Sequence, residues 1–484
     1  MQGQKKYIPL LLCILLSGVF VLLFSYSTSP LYPYTVFTSN DSSQFLTMGR
    51  AWYFGKIPYR DMFDHKGPFI FFVDMLGYAL TGGKSQNGVA LFQFIFMCFT
   101  TMSFYMISQI GKKDVKLGVI AVILSLILIR NNTLEGNYVE EYCLPFLGWS
   151  TYFALSFLHS PMEKHDFKKT FLYGFTLGIC FLTRITNFAP VSFFILAIVI
   201  HVIRNKQFKN LLENAFSFIL GSLAAVLPFC IYFYQKGCLS DMFYASFTFN
   251  VEYATTLQSW LFSPDKKSLI VIANVYFLSY IILLAAVFAG VRKNYTFLIL
   301  YICTWLFEVY IYTSGSLFRQ YPLVCAAQVS IVIYELSLIS LDKKKLRTFA
   351  ALLITAAAVA TTGTNLLGIY QRLSQNSSFS GFEWDSLVAE IPQEDTDSFS
   401  IYGGFDLKGA YLSTGLLPCY KYFVLQDWHG SFSPTIRTDI YETYNTCAAK
   451  WLLTDDNTEI IRPILDANYT AFSTSGKYTL YRRK

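Results

Sequence analysis

The chain has 484 residues, of which 54% are hydrophobic, 18% aromatic and only 14% charged, and its mean hydropathy is +0.41. This composition excludes an ordinary soluble protein and is typical of an integral membrane protein with a minor soluble part. The net charge of +7 is carried by short loops between apolar segments. We therefore expect the lipid bilayer, and no nucleic acid, as a partner.

Eleven apolar runs near 20 residues predict an α-helical polytopic membrane protein. The first run follows Lys5 and Lys6 and is longer than a signal-peptide core, so we expect a retained anchor. Phe69–Leu80 is short and contains Asp74, which predicts a half-embedded or interfacial helix. The predicted spans cover residues 7–27, 88–110, 116–131, 142–159, 170–184, 187–204, 212–234, 268–290, 295–313, 321–341 and 349–370.

The basic loops predict how these helices are oriented in the cell membrane. Lysine and arginine are enriched in cytoplasmic loops. A cytoplasmic N-terminus places every basic cluster between spans on the cytoplasmic side. The clusters are Lys112/Lys113/Lys116, Lys164/Lys168/Lys169, Arg204/Lys206/Lys209, Arg292/Lys293 and Lys343/Lys344/Lys345/Arg347. We therefore predict an N-in/C-out topology, in which the long first loop, the active site and the tail are extracytoplasmic.

The composition changes near residue 371, which predicts a membrane domain at 1–370 and a small extracytoplasmic α/β domain at 371–484. Alternating patterns predict strands, apolar spacing predicts helices, and residues 471–481 resemble a hairpin. The predicted strands are Ser398–Tyr402, Tyr422–Gln426 and Lys450–Thr454, and the predicted helices are Leu407–Thr414 and Glu459–Asn468. Cys419 and Cys447 lie in this domain and are candidates for a disulfide.

The other cysteines lie mostly in apolar segments, where cysteine behaves as a small apolar residue. No Cys/His spacing resembles a zinc site. We expect no metal site and no cofactor, with a divalent ion left open.

The first loop after the first span gathers charges of both signs. Asp41 opens it, and Gly55–Pro68 follows. Ionisable groups beside a membrane are costly and usually mark a functional site, although an interfacial loop with aromatic anchors is the alternative. The residues expected to form a substrate loop are Tyr59, Arg60, Asp61, Asp64 and His65.

Asp41 has two interpretations. It begins a helical pattern, and Gln44 three residues later fits a capping box, so Asp41 is a candidate N-cap. A capped helix would also fix the carboxylate in place, so a functional role is compatible with capping.

Lys66, Arg184 and Arg319 are cations expected at the outer lipid boundary. They either extend to the headgroups or bind a phosphate, since both residue types favour phosphate oxygens. No P-loop or other nucleotide motif is present, and a site outside the cytoplasm has no nucleotide pool. A phosphate bound there would therefore belong to a lipid.

Several motifs resemble one family of membrane enzymes. An Asp in the first outer loop and the run Gly55–Pro68 are similar to GT-C glycosyltransferases, closest to bacterial family 39 and the relatives of protein O-mannosyltransferases and aminoarabinose transferases. Glu135–Glu141 resembles the second acidic loop of that family. Phe181–Arg184 and Arg319–Pro322 resemble two further motifs. The family usually has an acidic pair at the first site, whereas here Ser42 follows Asp41.

The resemblance implies inverting transfer of a sugar from a polyprenyl phosphate to an extracytoplasmic acceptor, which would be a cell-wall polymer, a lipid-linked glycan or a protein. Asp41 would then be the general base, and Glu140 or Glu141 would orient the sugar or the acceptor. Lys66 and Arg184 would neutralise the departing phosphate. The alternatives are a polytopic transporter or flippase, and a non-enzymatic cell-envelope assembly protein.

Overall fold

The computed structural model describes most of the chain, including the first loop from Asp41 onwards and nearly all of the C-terminal region. The described residues are 7–32, 41–133, 135–256, 277–313, 318–339, 366–374 and 379–484, with a few isolated positions between 345 and 356. Most of the predicted span 349–370 and the first nine residues of the predicted span 268–290 lie outside them.

Apolar helices joined by short loops make up the first two thirds of the chain. They are α1 (Ile8–Phe24), α2 (Asp41–Tyr53), α3 (Pro68–Leu80), α4 (Asn87–Ser108), α5 (Val115–Asn132), α6 (Val139–His159), α7 (Phe167–Phe181), α8 (Ala189–Arg204), α9 (Phe208–Gln235), α10 (Leu239–Phe243), α11 (Phe249–Thr256), α12 (Phe277–Val291), α13 (Tyr295–Thr313) and α14 (Gln328–Leu338). Short 3-10 helices precede α8 at Ile185–Phe188 and α14 at Tyr321–Cys325.

Six helical segments in the described ranges are long and apolar enough to cross a membrane. They are Asn87–Ser108, Val115–Asn132, Ile185–Arg204, Phe208–Gln235, Tyr295–Thr313 and Tyr321–Leu338. Three shorter apolar helices, α1, α3 and α12, accompany them. The protein is therefore a multi-pass membrane protein, as the composition predicts.

The short helix α3 is largely buried within the bundle. Its Asp74 has no exposed surface and accepts a hydrogen bond from Asn137 Nδ2 at 3.1 Å. A 13-residue helix is too short to cross a bilayer, and its half-embedded or interfacial position stays a prediction.

Close approach of α7 and α9 depends on small residues, as is common between membrane helices. A Cβ atom on Gly174 would lie 1.8 Å from the Phe218 carbonyl oxygen, and one on Gly221 would lie 2.0 Å from the Phe171 carbonyl oxygen. Only glycine fits at these two positions. The pair therefore fixes the end of α7, from which Arg184 projects.

The two ends of the bundle carry different groups. At one end, the backbone N–H of Lys112 donates to Ser337 Oγ at 3.2 Å, and Arg292 pairs with Glu335. This end carries the basic loops that the sequence assigns to the cytoplasm. The start of α6 meets the end of α7 at the opposite end, and the candidate site lies there.

The C-terminal region contains a four-stranded sheet with helices around it. The strands are β1 (Phe399–Tyr402), β2 (Trp451–Thr454), β3 (Tyr469–Ser475) and β4 (Tyr478–Arg483), and the helices are α15 (Glu383–Val388), α16 (Ala410–Thr414), α17 (Gln426–Phe432), α18 (Pro434–Asn445) and α19 (Arg462–Asn468). The strand order is β1-β2-β4-β3, with β1 parallel to β2 and the other pairs antiparallel. The predicted hairpin corresponds to β3 and β4.

One expectation for this region is wrong. Tyr422–Gln426 is not a strand, because Leu425 adopts a left-handed backbone (φ +57°) and Gln426 begins a helix. Cys419 and Cys447, the candidates for a disulfide, are free cysteines in the structure.

Candidate active site at the junction of two cavities

The helix α2 begins at Asp41, and this places the carboxylate at the positive end of the helix dipole. The amide nitrogen of Gln44 donates to Asp64 Oδ2, and Asp41 is itself the first helical residue of α2. Gln44 therefore joins α2 to the following loop.

Asp41 forms an ion pair with a residue far along the chain. Lys408 Nζ donates to Asp41 Oδ1 at 2.6 Å, and the Lys408 side chain is only 2% exposed. Burial alone would raise the pKa of the Asp41 carboxyl, but the Lys408 and Lys66 cations outweigh it and hold that pKa below its ordinary value. Asp41 is therefore ionised at neutral pH.

The loop between α2 and α3 is shaped by its own hydrogen bonds. Tyr59 is fully buried with a left-handed backbone (φ +69°), and its hydroxyl donates to the Lys66 carbonyl at 2.8 Å. Arg60 pairs with Asp61 at 2.9 Å, and Asp61 accepts a second hydrogen bond from the Ile57 N–H. Arg60 and Asp61 thus stabilise the turn, and neither lines the cavities described below.

Asp64, His65 and Lys66 point towards the site. Asp64 Oδ1 accepts the backbone N–H of Lys66 at 2.7 Å, and burial raises the pKa of its carboxyl to about 6. Lys66 Nζ lies 2.6 Å from His65 Nε2. Since an ammonium can only donate, Nε2 accepts and the neutral imidazole carries its proton on Nδ1. Burial and Lys66 also lower the pKa of His65 well below its ordinary value.

Aromatic rings from two parts of the chain surround His65. Tyr253 of α11 and Trp428 of α17 have ring centroids 6.1 Å and 5.7 Å from it. His429 lies 5.9 Å away, and neither of its ring nitrogens has a hydrogen-bond partner among the described residues. Burial, with Lys408 and Lys66, lowers the pKa of His429 to about 3, so it is neutral.

Two cavities meet at His65 and Lys66. The first, of about 210 Å³, contains Asp41 and is hereafter the carboxylate cavity. The second, of about 390 Å³, contains Arg184 and is hereafter the arginine cavity. Lys66, His65, Tyr253 and Tyr321 line both.

Arg184 is held by an acid on one side and a ring on the other. Its Nη1 lies 3.7 Å from Glu140 Oε1, and its guanidinium lies 3.2 Å from the centre of the Tyr321 ring. The hydroxyl of Thr186, in the wall of the same cavity, is buried and lacks a hydrogen-bond partner within the described ranges. The arginine cavity thus presents cationic and polar groups to whatever fills it.

The remaining predicted residues lie outside both cavities. Glu141 accepts a hydrogen bond from Gln93 Nε2 at 3.1 Å, and both side chains are buried. Arg319 is exposed, and its Nε donates to the Asn131 carbonyl at the end of α5. Glu140 reaches the arginine cavity only through Arg184.

Residues missed by the sequence analysis come mainly from the C-terminal region. Lys408 and Trp428 line the carboxylate cavity, and His429 lies behind it. No spacing pattern links them to Asp41, although Trp428 and His429 stand out as adjacent aromatic and titratable residues. Within the part of the chain that the structure describes, no group of three His, Cys, Asp or Glu residues is arranged to hold a metal ion.

Comparison with known structures identifies the fold. The crystal structures of ArnT from Cupriavidus metallidurans superpose with TM-scores of 0.58 (bound to undecaprenyl phosphate, 12% identity) and 0.57 (apo, 11% identity), and each comparison covers 99% of this chain and 98% of ArnT. The Archaeoglobus fulgidus oligosaccharyltransferase, complexed with Zn and sulfate, gives 0.48 at 13% identity over 97% of this chain and 73% of that one. The chain has the GT-C fold of membrane glycosyltransferases.

Sequence comparison gives the family. No curated protein sequence matches the chain significantly. The family model described as the putative competence-induced protein Ccs4 N-terminal domain matches residues 4–350, which is more than half of the chain. This GT-C protein therefore belongs to the family of the putative competence-induced protein Ccs4.

Proposed function

We propose that the protein transfers a sugar from a polyprenyl-phosphate donor to an acceptor at the outer face of the cell membrane. The observation that carries this proposal is the position of Lys66. This residue lines both the carboxylate cavity, which contains Asp41, and the arginine cavity, which contains Arg184. Transfer from a lipid phosphate needs both groups on the two sides of one reacting carbon. The ArnT complex with undecaprenyl phosphate supports the choice of lipid.

The arginine cavity suits the donor phosphate. Lys66 contributes a point charge, and Arg184 contributes a planar guanidinium that can bind two phosphate oxygens. Glu140 and Tyr321 hold Arg184 in place. Arg319 takes no part in this clamp, because its side chain caps the Asn131 carbonyl elsewhere.

The carboxylate cavity suits the acceptor. Asp41 accepts the proton of the acceptor hydroxyl as that oxygen bonds to the anomeric carbon of the sugar. The bond between that carbon and the phosphate oxygen breaks, and the electron pair leaves with the polyprenyl phosphate. General-base assistance of this kind contributes about 10²–10⁴-fold, and the cations beside the phosphate stabilise the developing charge.

The proposed orientation follows from the two ends of the bundle. The basic loops lie at the end opposite the site, and by the positive-inside rule this supports a site outside the cytoplasm. A polyprenyl-phosphate sugar and an envelope acceptor would both be available there.

The first test measures the binding of undecaprenyl phosphate to the purified full-length protein by native mass spectrometry. Lys66→Ala and Arg184→Ala should each weaken binding by about tenfold or more, since a hydrogen bond to a charged group contributes about 1.5–3 kcal/mol. Arg60→Ala is the matched control, because Arg60 is a loop cation that pairs only with Asp61 among described residues. Unchanged affinity in both cavity variants would contradict the phosphate clamp.

The second test identifies the reaction. Lipid extraction from a deletion strain should show an accumulated polyprenyl-phosphate sugar, and envelope glycans should lack that sugar. A flippase would also change lipid distribution, but the purified protein would then release no polyprenyl phosphate from the extracted donor. Release that depends on Asp41 supports the transferase.

A further inference from the structure

We propose that Lys408 is a positioning residue for Asp41, so that the C-terminal region completes the acceptor side of the active site. The inference rests on the proposed function in one respect, which is the role of Asp41 as base. The contact itself is independent of any reaction.

Lys408 makes a short and buried ionic contact with Asp41. Its Nζ is 2.6 Å from Asp41 Oδ1, its side chain is 2% exposed, and it lies 4.9 Å from the centre of the Phe405 ring. Taking an ammonium out of water is costly, so a buried lysine requires a close and well-oriented anion. Asp41 is the carboxylate that pairs with Lys408 in the described structure.

The C-terminal region is attached beside this contact by further hydrogen bonds. Arg50 of α2 donates to the Gly415 carbonyl at 2.9 Å, and the Phe63 N–H donates to the Lys421 carbonyl at 2.8 Å. These bonds hold the region against α2 and the first loop. The residues that it adds to the wall of the carboxylate cavity are Phe405, Lys408, Leu425, Trp428 and Phe432.

The family match ends at residue 350, before all five of these residues. The matched region therefore contains Asp41, Lys66 and Arg184, whereas these five residues of the carboxylate cavity lie beyond it.

Lys408 also determines which cation is available to the donor. The positive charges of Lys408 and Lys66 both act on the Asp41 carboxylate. Without Lys408, we expect that carboxylate to attract Lys66 away from the arginine cavity. With Lys408 bound to Asp41, Lys66 stays between the two cavities, where its Nζ lies 2.6 Å from His65 Nε2 and can also contact a phosphate. The charged and titratable groups whose fields act on Asp41 or on its neighbour Asp64 are Lys408, Lys66, Asp64, Glu140, Tyr138 and Tyr321.

The experiment measures the protonation of Asp41 without any substrate. Dicyclohexylcarbodiimide reacts with protonated carboxyl groups, and mass spectrometry of peptides locates the acylurea, or the amide formed with Lys408. The extent of reaction at Asp41 is followed against pH in the full-length protein. Lys408→Met should move the midpoint upwards by at least about one pH unit, since a close opposite charge lowers a carboxyl pKa by about 1–3 units.

Two variants separate charge from structure. Lys408→Arg keeps the charge and should keep the midpoint near that of the wild type. Lys421→Met removes another lysine of the C-terminal region, which lies 3.8 Å from Asp241 and outside the cavities, and should change nothing. An unchanged midpoint in folded Lys408→Met, or a shift in Lys421→Met as large as in Lys408→Met, would overturn the inference.

A general opening of the site would raise labelling at every pH without moving the midpoint, and that result would also count against the proposal. Lys408→Gln replaces Lys408→Met if the latter does not fold, with the same comparison of midpoints. Undecaprenyl phosphate binding is measured on the same samples. Binding is also measured for Lys66→Ala and Arg184→Ala. If neither of these weakens binding while the Asp41 midpoint shifts in Lys408→Met, the proposed phosphate clamp alone is refuted, whereas weakened binding in both without that shift refutes this inference alone.

Discussion

The backbone N–H of Gly67 donates to the carbonyl oxygen of Thr183 at 3.3 Å, so the residue after Lys66 is joined to the residue before Arg184. A second hydrogen bond between the same two segments runs from the Phe69 N–H to the Leu182 carbonyl. The two proposed phosphate ligands therefore share one backbone attachment although they are distant in sequence. Their spacing is fixed by main-chain atoms and not by the lysine and arginine side chains.

Gly67→Ala should weaken phosphate binding although residue 67 has no side chain in the site. A Cβ atom there would lie 2.2 Å from the Leu182 carbonyl oxygen, so the two segments must move apart. Overpacking of this kind costs about 1–3 kcal/mol. We expect a lower melting temperature and reduced undecaprenyl phosphate affinity. Gly55→Ala, where no atom lies within 4 Å of the added Cβ but φ is positive, is the control for loop strain alone. Equal affinity losses in both variants would contradict the shared attachment.

Asp41→Asn should reduce sugar transfer by about 10²–10⁴-fold and leave undecaprenyl phosphate binding unchanged. The amide oxygen can still accept the Lys408 hydrogen bond, whereas the amide cannot take the acceptor proton near neutral pH. Turnover is measured with donor lipid from the deletion strain, and thermal unfolding is measured in parallel. Near-normal turnover in a folded protein would remove Asp41 from the proposed mechanism.

Tyr321→Leu should weaken phosphate binding several-fold, because the ring is within 3.2 Å of the Arg184 guanidinium and keeps it oriented. A buried cation–π contact contributes about 2 kcal/mol. Tyr321→Phe keeps the ring and should bind nearly as the wild type does. Arg184→Lys should retain part of the affinity, since the charge remains while the bidentate fork is lost. If Tyr321→Leu binds as tightly as Tyr321→Phe, the ring has no orienting role.

Asp64→Asn should alter the pH dependence of stability. The pKa of Asp64 rises from 3.8 to about 6 because the carboxyl is buried. The folded state then holds a proton that the unfolded state has released, so stability falls as pH rises from about 4 to 6. Two pKa units correspond to about 3 kcal/mol. In melting experiments at pH 4.5 and 7, Asp64→Asn should lose less stability on going to pH 7 than the wild type.

Asp61→Asn is the neighbouring control for that experiment. Although partial burial acts in the opposite direction, hydrogen bonds from Arg60 and the Ile57 N–H lower the pKa of Asp61. The pH dependence contributed by Asp61 therefore has the opposite sign, and its removal should not reproduce the Asp64→Asn result. Identical pH profiles for wild type and Asp64→Asn would exclude the burial effect.

The predicted topology is testable with single cysteines in a background without native ones. Lys84→Cys and Glu394→Cys lie at exposed positions in the first loop and the C-terminal region. They should react with an impermeant thiol reagent in intact cells, whereas exposed Lys113→Cys should react only after permeabilisation. Labelling of Lys113→Cys in intact cells without labelling of Glu394→Cys would reverse the orientation.

Charge placement allowed part of the site to be predicted. Asp41 and Lys66 lie in the charged loop after the first span and Arg184 lies at the end of a later one, so their positions brought them into consideration, and the structure places all three on the two adjoining cavities. Arg60 and Asp61 lie in the same charged loop, yet they form an ion pair with each other in a turn. The sequence pattern does not distinguish a charge that binds its neighbour from one that faces a cavity.

The C-terminal region was predicted less completely because its contacts are long-range. Short apolar stretches identified β1 and β2, but Tyr422–Gln426 is an equally apolar stretch and is not a strand. There the Leu425 N–H donates to the Gly403 carbonyl, and this contact with the end of β1 bends the chain into α17. Lys408 was missed for the same reason, since its only distinguishing feature is a partner in α2.

The Asp41–Lys408 contact joins residues separated by 367 positions, and this separation matters during synthesis. The carboxylate leaves the ribosome early, whereas the lysine follows only after the apolar helices have been made. Until then the acceptor side of the cavity lacks its wall, and Asp41 lacks its partner. A chain that stops short of the C-terminal region would thus have its membrane helices but lack the partner of Asp41 and part of the cavity wall.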